Sequence, residues 1–135
     1  MNKRSAVWQF IADFVRGVLA EPGRVIHWLK SSASIRVVDD QENRLELSAN
    51  SRRIVADRVS RTVLSGGRIV ARFEAIQAIE IKYHQNGDGP EWWAVSLRLS
   101  PRGHISIGKT VDDTAASIAA AKLGTITGKK VVALA

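Results

Sequence analysis

From Ile35 onward apolar side chains recur at every second position, and this alternation restricts the fold more than any other feature of the chain. Ile79, Ile81 and Tyr83 alternate with Glu80 and Lys82. Trp93, Val95, Leu97 and Leu99 alternate with Ala94, Ser96 and Arg98, and Ile105 and Ile107 flank Ser106. Successive side chains on a strand point to opposite faces, so this pattern places one face in a core and the other in water, as in an antiparallel sheet. The spacing predicts strands over 35–38, 44–48, 53–57, 60–64, 68–73, 76–83, 91–100 and 104–109. Ser65-Gly66-Gly67 suits a tight hairpin, 86–90 a longer loop, and Pro101-Arg102-Gly103 a turn. Strands this close together leave no room for crossover helices, which argues for an antiparallel meander.

A helix is expected to close the chain over 111–123. Thr110 and Asp113 resemble a capping box, Asp112 and Asp113 suit the positive end of the helix dipole, and Gly124 is placed for a C-cap. Ala115, Ala116, Ile118, Ala119 and Ala121 give a small-residue surface that can lie close to a sheet. Val131, Val132 and Leu134 read as an apolar tail.

The first 34 residues follow a different rule. Val7, Trp8, Phe10, Ile11, Phe14, Val15, Val18 and Leu19 recur at three- and four-residue steps, the pattern of an amphipathic helix. Ser5 can cap it and Pro22-Gly23 ends or bends it. A shorter pattern follows in Val25, Ile26, Trp28 and Leu29, and Ser31-Ser32-Ala33-Ser34 reads as a linker. The expected organisation is therefore a helical arm over 1–34 and an antiparallel β domain with a C-terminal helix over 35–135, an α+β protein.

Composition limits the chemistry. With 135 residues, 45% hydrophobic and 24% charged, the chain suits one globular core. It has no Cys, which removes disulfides and thiolate chemistry. The longest apolar run, 5–20, is short for a membrane span and carries Asp13 and Arg16. A cytoplasmic protein is expected, with peripheral association at the inner face of the membrane as an option. The net charge is +7. Up to Val38, Lys3, Arg4, Arg16, Arg24, Lys30 and Arg36 face only Asp13 and Glu21, a net of +4.

No catalytic set emerges. His27, His84 and His104 lack ligand spacing, and without Cys a zinc site would need carboxylates. Asp88 and Glu91 near a Gly-rich loop lack the spacing of a calcium loop. Gly124 to Lys129 is one residue short of a phosphate loop, with Lys130 where Ser or Thr belongs. No catalytic residue, metal or cofactor is expected. Basic residues are more suggestive: Arg44, Arg52, Arg53, Arg58, Arg61, Arg68 and Arg72 fall within 29 residues against only Glu46 and Asp57. Arg53 and Arg61 are expected to share a strand face, where planar guanidinium groups suit phosphate or carboxylate.

The late segment, Glu91 to Leu99, the turn Pro101-Arg102-Gly103, His104 to Lys109 and then Asp112 to Leu123, resembles small bacterial domains of the pleckstrin-homology-like superfold. The resemblance covers about 35–135. It implies a bent antiparallel sheet or partly closed barrel capped by a C-terminal helix. Asp39, Asp40 and Glu42 make the loop after the first strand acidic where the family's phosphoinositide motif is basic, so the resemblance implies the fold and not that ligand.

The expectation for function is a non-enzymatic interaction module. Trp8, Phe10, Ile11, Phe14, Val18 and Trp28 would form the contact with a protein partner, a second copy or a membrane surface. Lys3, Arg4, Arg16 and Arg24, with Arg53 and Arg61, would add attraction to an acidic surface. Two alternatives are nucleic-acid binding through the strand arginines and small-ligand binding around His84, His104 or the 86–91 loop.

Overall fold

A computed structural model describes residues 34–85, 87–100 and 102–134. Strands β1 (Ile35–Asp40), β2 (Arg44–Ala49), β3 (Arg52–Asp57), β4 (Thr62–Ser65) and β5 (Arg68–Arg72) form a five-stranded antiparallel meander in chain order. A 3-10 turn, Phe73–Ala75, leads into β6 (Ile76–Gln85), followed by β7 (Glu91–Leu99) and β8 (His104–Thr110). Helix α1 (Asp113–Thr127) and a short strand β9 (Val131–Leu134) complete the described chain. The second sheet has the order β8-β7-β6-β9, and only β9 runs parallel to its neighbour.

The turns explain the meander. Asn50 and Ser51 link β2 to β3, and Gly66 and Gly67 link β4 to β5, each pair with φ positive at both residues. Two-residue loops of this kind match the right-handed twist of the strands they join. Asn50 also fastens one sheet to the other. Its side-chain Nδ2 donates to the Lys109 carbonyl at 2.9 Å, and its Oδ1 accepts from the Lys109 amide at 2.7 Å. The Asn50 amide therefore takes the place of one peptide unit of a ladder at the seam. Gly108 makes that seam possible: a Cβ there would stand 2.9 Å from both the Ala49 Cβ and the Asn50 Oδ1.

The core lies between the two sheets and α1. Leu45, Leu47, Ile54, Val63 and Phe73 come from the first half, Ile76, Ile79, Val95, Leu97 and Ile107 from the second, and Ala116, Ala119, Ala120 and Leu123 from the helix. Burial of each large member contributes about 1.5 to 3 kcal/mol. The alanines keep the helix axis close to the sheets.

The helix differs from expectation at both ends. Asp112 is its N-cap, accepting from the Thr114 amide at 3.0 Å, and the C-cap is Gly128 at φ 73°. Gly124 lies inside the helix and is buried. Its missing side chain serves the return of the chain, since a Cβ would meet the Val131 Cγ2 at 2.9 Å and the Lys129 carbonyl at 3.0 Å. The apolar tail is thereby a strand: Val131 to Leu134 pair with Ile79 to Lys82. Arg58 reaches across to the end of α1, donating to the Thr125 and Ile126 carbonyls at 3.3 and 3.4 Å. Lys122 pairs with Asp40 at 2.6 Å. Among the described residues no helix is long and apolar enough to cross a membrane.

Candidate interaction face

The alternation that buries one face of the second sheet leaves the other free to carry polar groups. The register puts Ile79, Ile81 and Tyr83 opposite Leu97, Val95 and Trp93 toward the core. It puts Glu80, Lys82 and His84 opposite Ser96, Ala94 and Trp92 on the outer face, with Arg98 next along β7. His104 on β8 lies opposite Arg98. Three neighbouring strands thus deliver one cluster. Arg98 donates from both Nε and Nη2 to the Glu80 Oε2, while the His104 Nε2 stands 2.7 Å from the other oxygen.

Glu80 is only 2% exposed, so its charge needs these partners. Burial pushes its carboxyl up, but the hydrogen bonds and charge of Arg98, with His104 beside them, outweigh that and hold it below the usual carboxylate range. A carboxylate locked this way fixes the directions of the Arg98 and His104 side chains and is a poor general base. Glu80, Lys82, Ala94, Ser96, Arg98 and His104 line a depression of about 490 Å³ on this face. Ala94 and Ser96 are short, which makes its floor.

At the far end of the same face, His84 stacks on Trp92, with ring centroids 3.8 Å apart and planes 6° from parallel. Lys109 Nζ sits 4.8 Å from the centre of the Trp92 ring. Burial, with Lys82 and Lys109 nearby, holds the His84 imidazole below its ordinary value. The face therefore carries Lys82, Lys109 and Arg98 against the single carboxylate of Glu80, around an aromatic platform.

The strand arginines are dispersed. Arg53 is at the turn end of β3 and donates to Glu46 at 2.9 Å. Arg61 is in the β3–β4 loop with φ 58°, its guanidinium 5.6 Å from the centre of the Phe73 ring. The two lie at opposite ends of the β3–β4 hairpin, so the shared face expected from the sequence is not formed. A loop residue in the left-handed region at Arg61 ends the alternation on which that expectation rested. Arg44 joins Arg53 on Glu46, and Arg52 donates to the Ser106 and Ile107 carbonyls. Trp8, Phe10, Ile11, Phe14, Val18 and Trp28, with Lys3, Arg4, Arg16, Arg24 and His27, lie outside the described residues.

A second carboxylate is buried at the inner end of the sheet. Glu91 is 2% exposed and accepts from the Tyr83 hydroxyl at 2.6 Å. That hydrogen bond, followed by burial and the carboxylate charge, pushes the Tyr83 phenol up to about 12. Among the described residues no group of three or more His, Asp or Glu gathers in a way that suits a metal ion. Sequence reasoning missed the Glu80–Arg98–His104 cluster. Its signal was present in part, because Glu80 and Arg98 both occupy outward positions of their alternating runs. No family model, curated protein or solved structure matches the chain.

Proposed function

We propose that the chain is a non-enzymatic interaction module for an acidic surface on a protein partner or a second copy. The segment from Ile35 onward acts as a rigid scaffold. Its outer sheet face and the N-terminal arm act together as the docking elements. The observation that carries this reading is the basic outer face, where Arg98 is held by buried Glu80, Lys109 rests over Trp92 and Lys82 is exposed between them. Side chains already held in place lose less freedom on binding, which favours recognition. The carboxylates best placed for acid–base work, Glu80 and Glu91, are engaged in structural contacts, which favours binding over turnover.

The arm enters the reading through its sequence. Eight large apolar residues within 13 positions are more than a free surface helix exposes, and its basic residues match the sign of the sheet face. Two antiparallel sheets closed by a C-terminal helix also support the pleckstrin-homology-like resemblance, with β9 as an addition after the helix. A cytoplasmic setting, with contact to the inner face of the membrane, fits the same chemistry.

The test uses the full chain. Sedimentation velocity measures self-association, and flotation with phosphatidylglycerol vesicles measures anionic-membrane binding. Charge reversal at two exposed cations, K82E/K109E, is expected to leave the protein folded and to weaken whichever association the wild type shows, with steep salt dependence. Association that is insensitive to both salt and this variant contradicts the reading. Equal flotation with vesicles of any charge would place the contact on the apolar arm alone.

A further inference from the structure

We propose that the depression on the outer face of the second sheet, with Lys82 and Lys109 to either side of Ala94, is a recognition site for a phosphate monoester carried on a serine or threonine of the partner. The chemistry of the ligand follows from the face itself, and its source on a protein side chain rests on the docking reading above. The register sets the geometry. Lys82 on β6 pairs with Ala94 on β7, and Ala94 pairs with Lys109 on β8, so the three lie in one row across the sheet. With neighbouring strands about 4.8 Å apart, the two lysine backbones stand roughly 10 Å apart, with only the Ala94 methyl group between them. Trp92 and Ser96 flank Ala94 along β7, each two residues away and on the same face.

The donors that remain available select the ligand. Arg98 gives Nε and Nη2 to Glu80, so one bidentate edge of its fork and its charge are already answered by a carboxylate. Among the described residues neither Lys82 nor Lys109 pairs with a carboxylate. Both lie close enough to His84 for their charge to act on its imidazole, so the surplus along this row is two ammonium groups. An ammonium is a compact charge with three donors and imposes no plane on its acceptor. A phosphate monoester carries about −1.5 to −2 charges at neutral pH and three acceptor oxygens, which match two ammonium groups and the Ser96 hydroxyl beside them. A single carboxylate leaves half of that charge unanswered. Lys82, Ala94 and Ser96 line the depression of about 490 Å³, which gives the group room on the sheet face. Lys109 closes it from the Trp92 side.

Amide NMR titration of the full chain tests the site with Nα-acetyl-phosphoserine methylamide and its glutamate counterpart at one ionic strength. The expected result is saturable shifts at the Lys82, Ala94, Ser96 and Lys109 amides with the phosphoserine derivative, bound at least about tenfold tighter than the glutamate derivative. A94V keeps both lysines and suits a strand, but fills the space between them, and is expected to weaken the phosphoserine derivative by at least about tenfold. Absence of saturable shifts at these amides, equal affinity for the glutamate derivative, or an unchanged affinity of A94V overturns the proposal. So does a chain that floats with phosphatidic acid vesicles yet leaves the phosphoserine derivative unbound. Loss of association in K82E/K109E without any response to phosphoserine keeps the docking reading and overturns the phosphate site. Phosphoserine binding with association unaffected by K82E/K109E keeps the phosphate site and overturns its place on a docking partner.

Discussion

Glu80 on β6 holds Arg98 on β7 with one carboxylate oxygen and His104 on β8 with the other, so three strands are cross-linked on a face that the alternation leaves outside the core. Removing one partner is therefore costlier than removing the pair. R98M leaves a buried carboxylate with His104 alone and is expected to lower stability by about 2 kcal/mol or more. E80Q/R98M removes both charges and is expected to cost less than R98M. Urea unfolding of the two variants measures the difference, and a double variant weaker than the single one would argue against the cluster as drawn.

The same cluster sets the response to acid. Glu80 ionises below the usual carboxylate range in the folded chain, so the unfolded chain binds its proton first as pH falls. Its stabilisation is present above the ordinary glutamate value and is lost as pH drops through the folded value. His84 acts in the same direction at higher pH, because its folded value also lies below the ordinary one. Stability is expected to decline in two stages on acidification, first through the ordinary histidine range and then through the carboxylate range. H84Q is expected to remove the first stage in a series of urea melts at stepped pH.

Tyr83 is the only tyrosine in the chain, so phenolate absorbance reports on it alone. It is expected to titrate near 12, against about 10 for a free phenol. The sign is opposite to that of Glu80: the unfolded chain loses this proton first, so stability is present below the ordinary tyrosine value and falls as pH rises through the folded one. E91Q removes the acceptor charge and is expected to move the titration back toward the ordinary value. A wild-type titration at the ordinary value would mean the Tyr83–Glu91 bond is absent in solution.

These groups were unequally legible in the sequence. The two-residue alternation separates Tyr83 and Trp93 from Glu80 and Arg98 without any structure, since it follows from strand geometry. The meeting of Glu80 with Arg98 and His104 was not readable. It depends on register, and the ladder slips between Ile76 and Ala78 and again between Val95 and Ser96. β9 was hidden because four apolar residues carry no period of their own, and they become a strand only where the helix returns them beside β6. Gly124 misled for a related reason. A glycine near a helix end usually marks a stop, and here it serves a close approach.

That close approach makes G124A informative. Alanine favours a helix interior over glycine by about 1 kcal/mol, so propensity alone predicts a gain. Contact with Val131 and the Lys129 carbonyl predicts the opposite, since β9 must shift to admit the methyl group. A net loss of stability is expected, with faster amide exchange confined to β9 and the adjoining part of β6. A gain in stability would show that β9 does not pack against Gly124.

The account turns on whether the N-terminal arm docks outward or belongs to the core, and thermal or urea unfolding of full-length W8D/F14D decides it most directly. An outward-docking arm predicts a stability within about 0.5 kcal/mol of wild type per substitution, as for surface positions, together with lost association in sedimentation velocity. A loss of more than about 4 kcal/mol, or loss of cooperative unfolding, would place Trp8 and Phe14 in the core and contradict the reading.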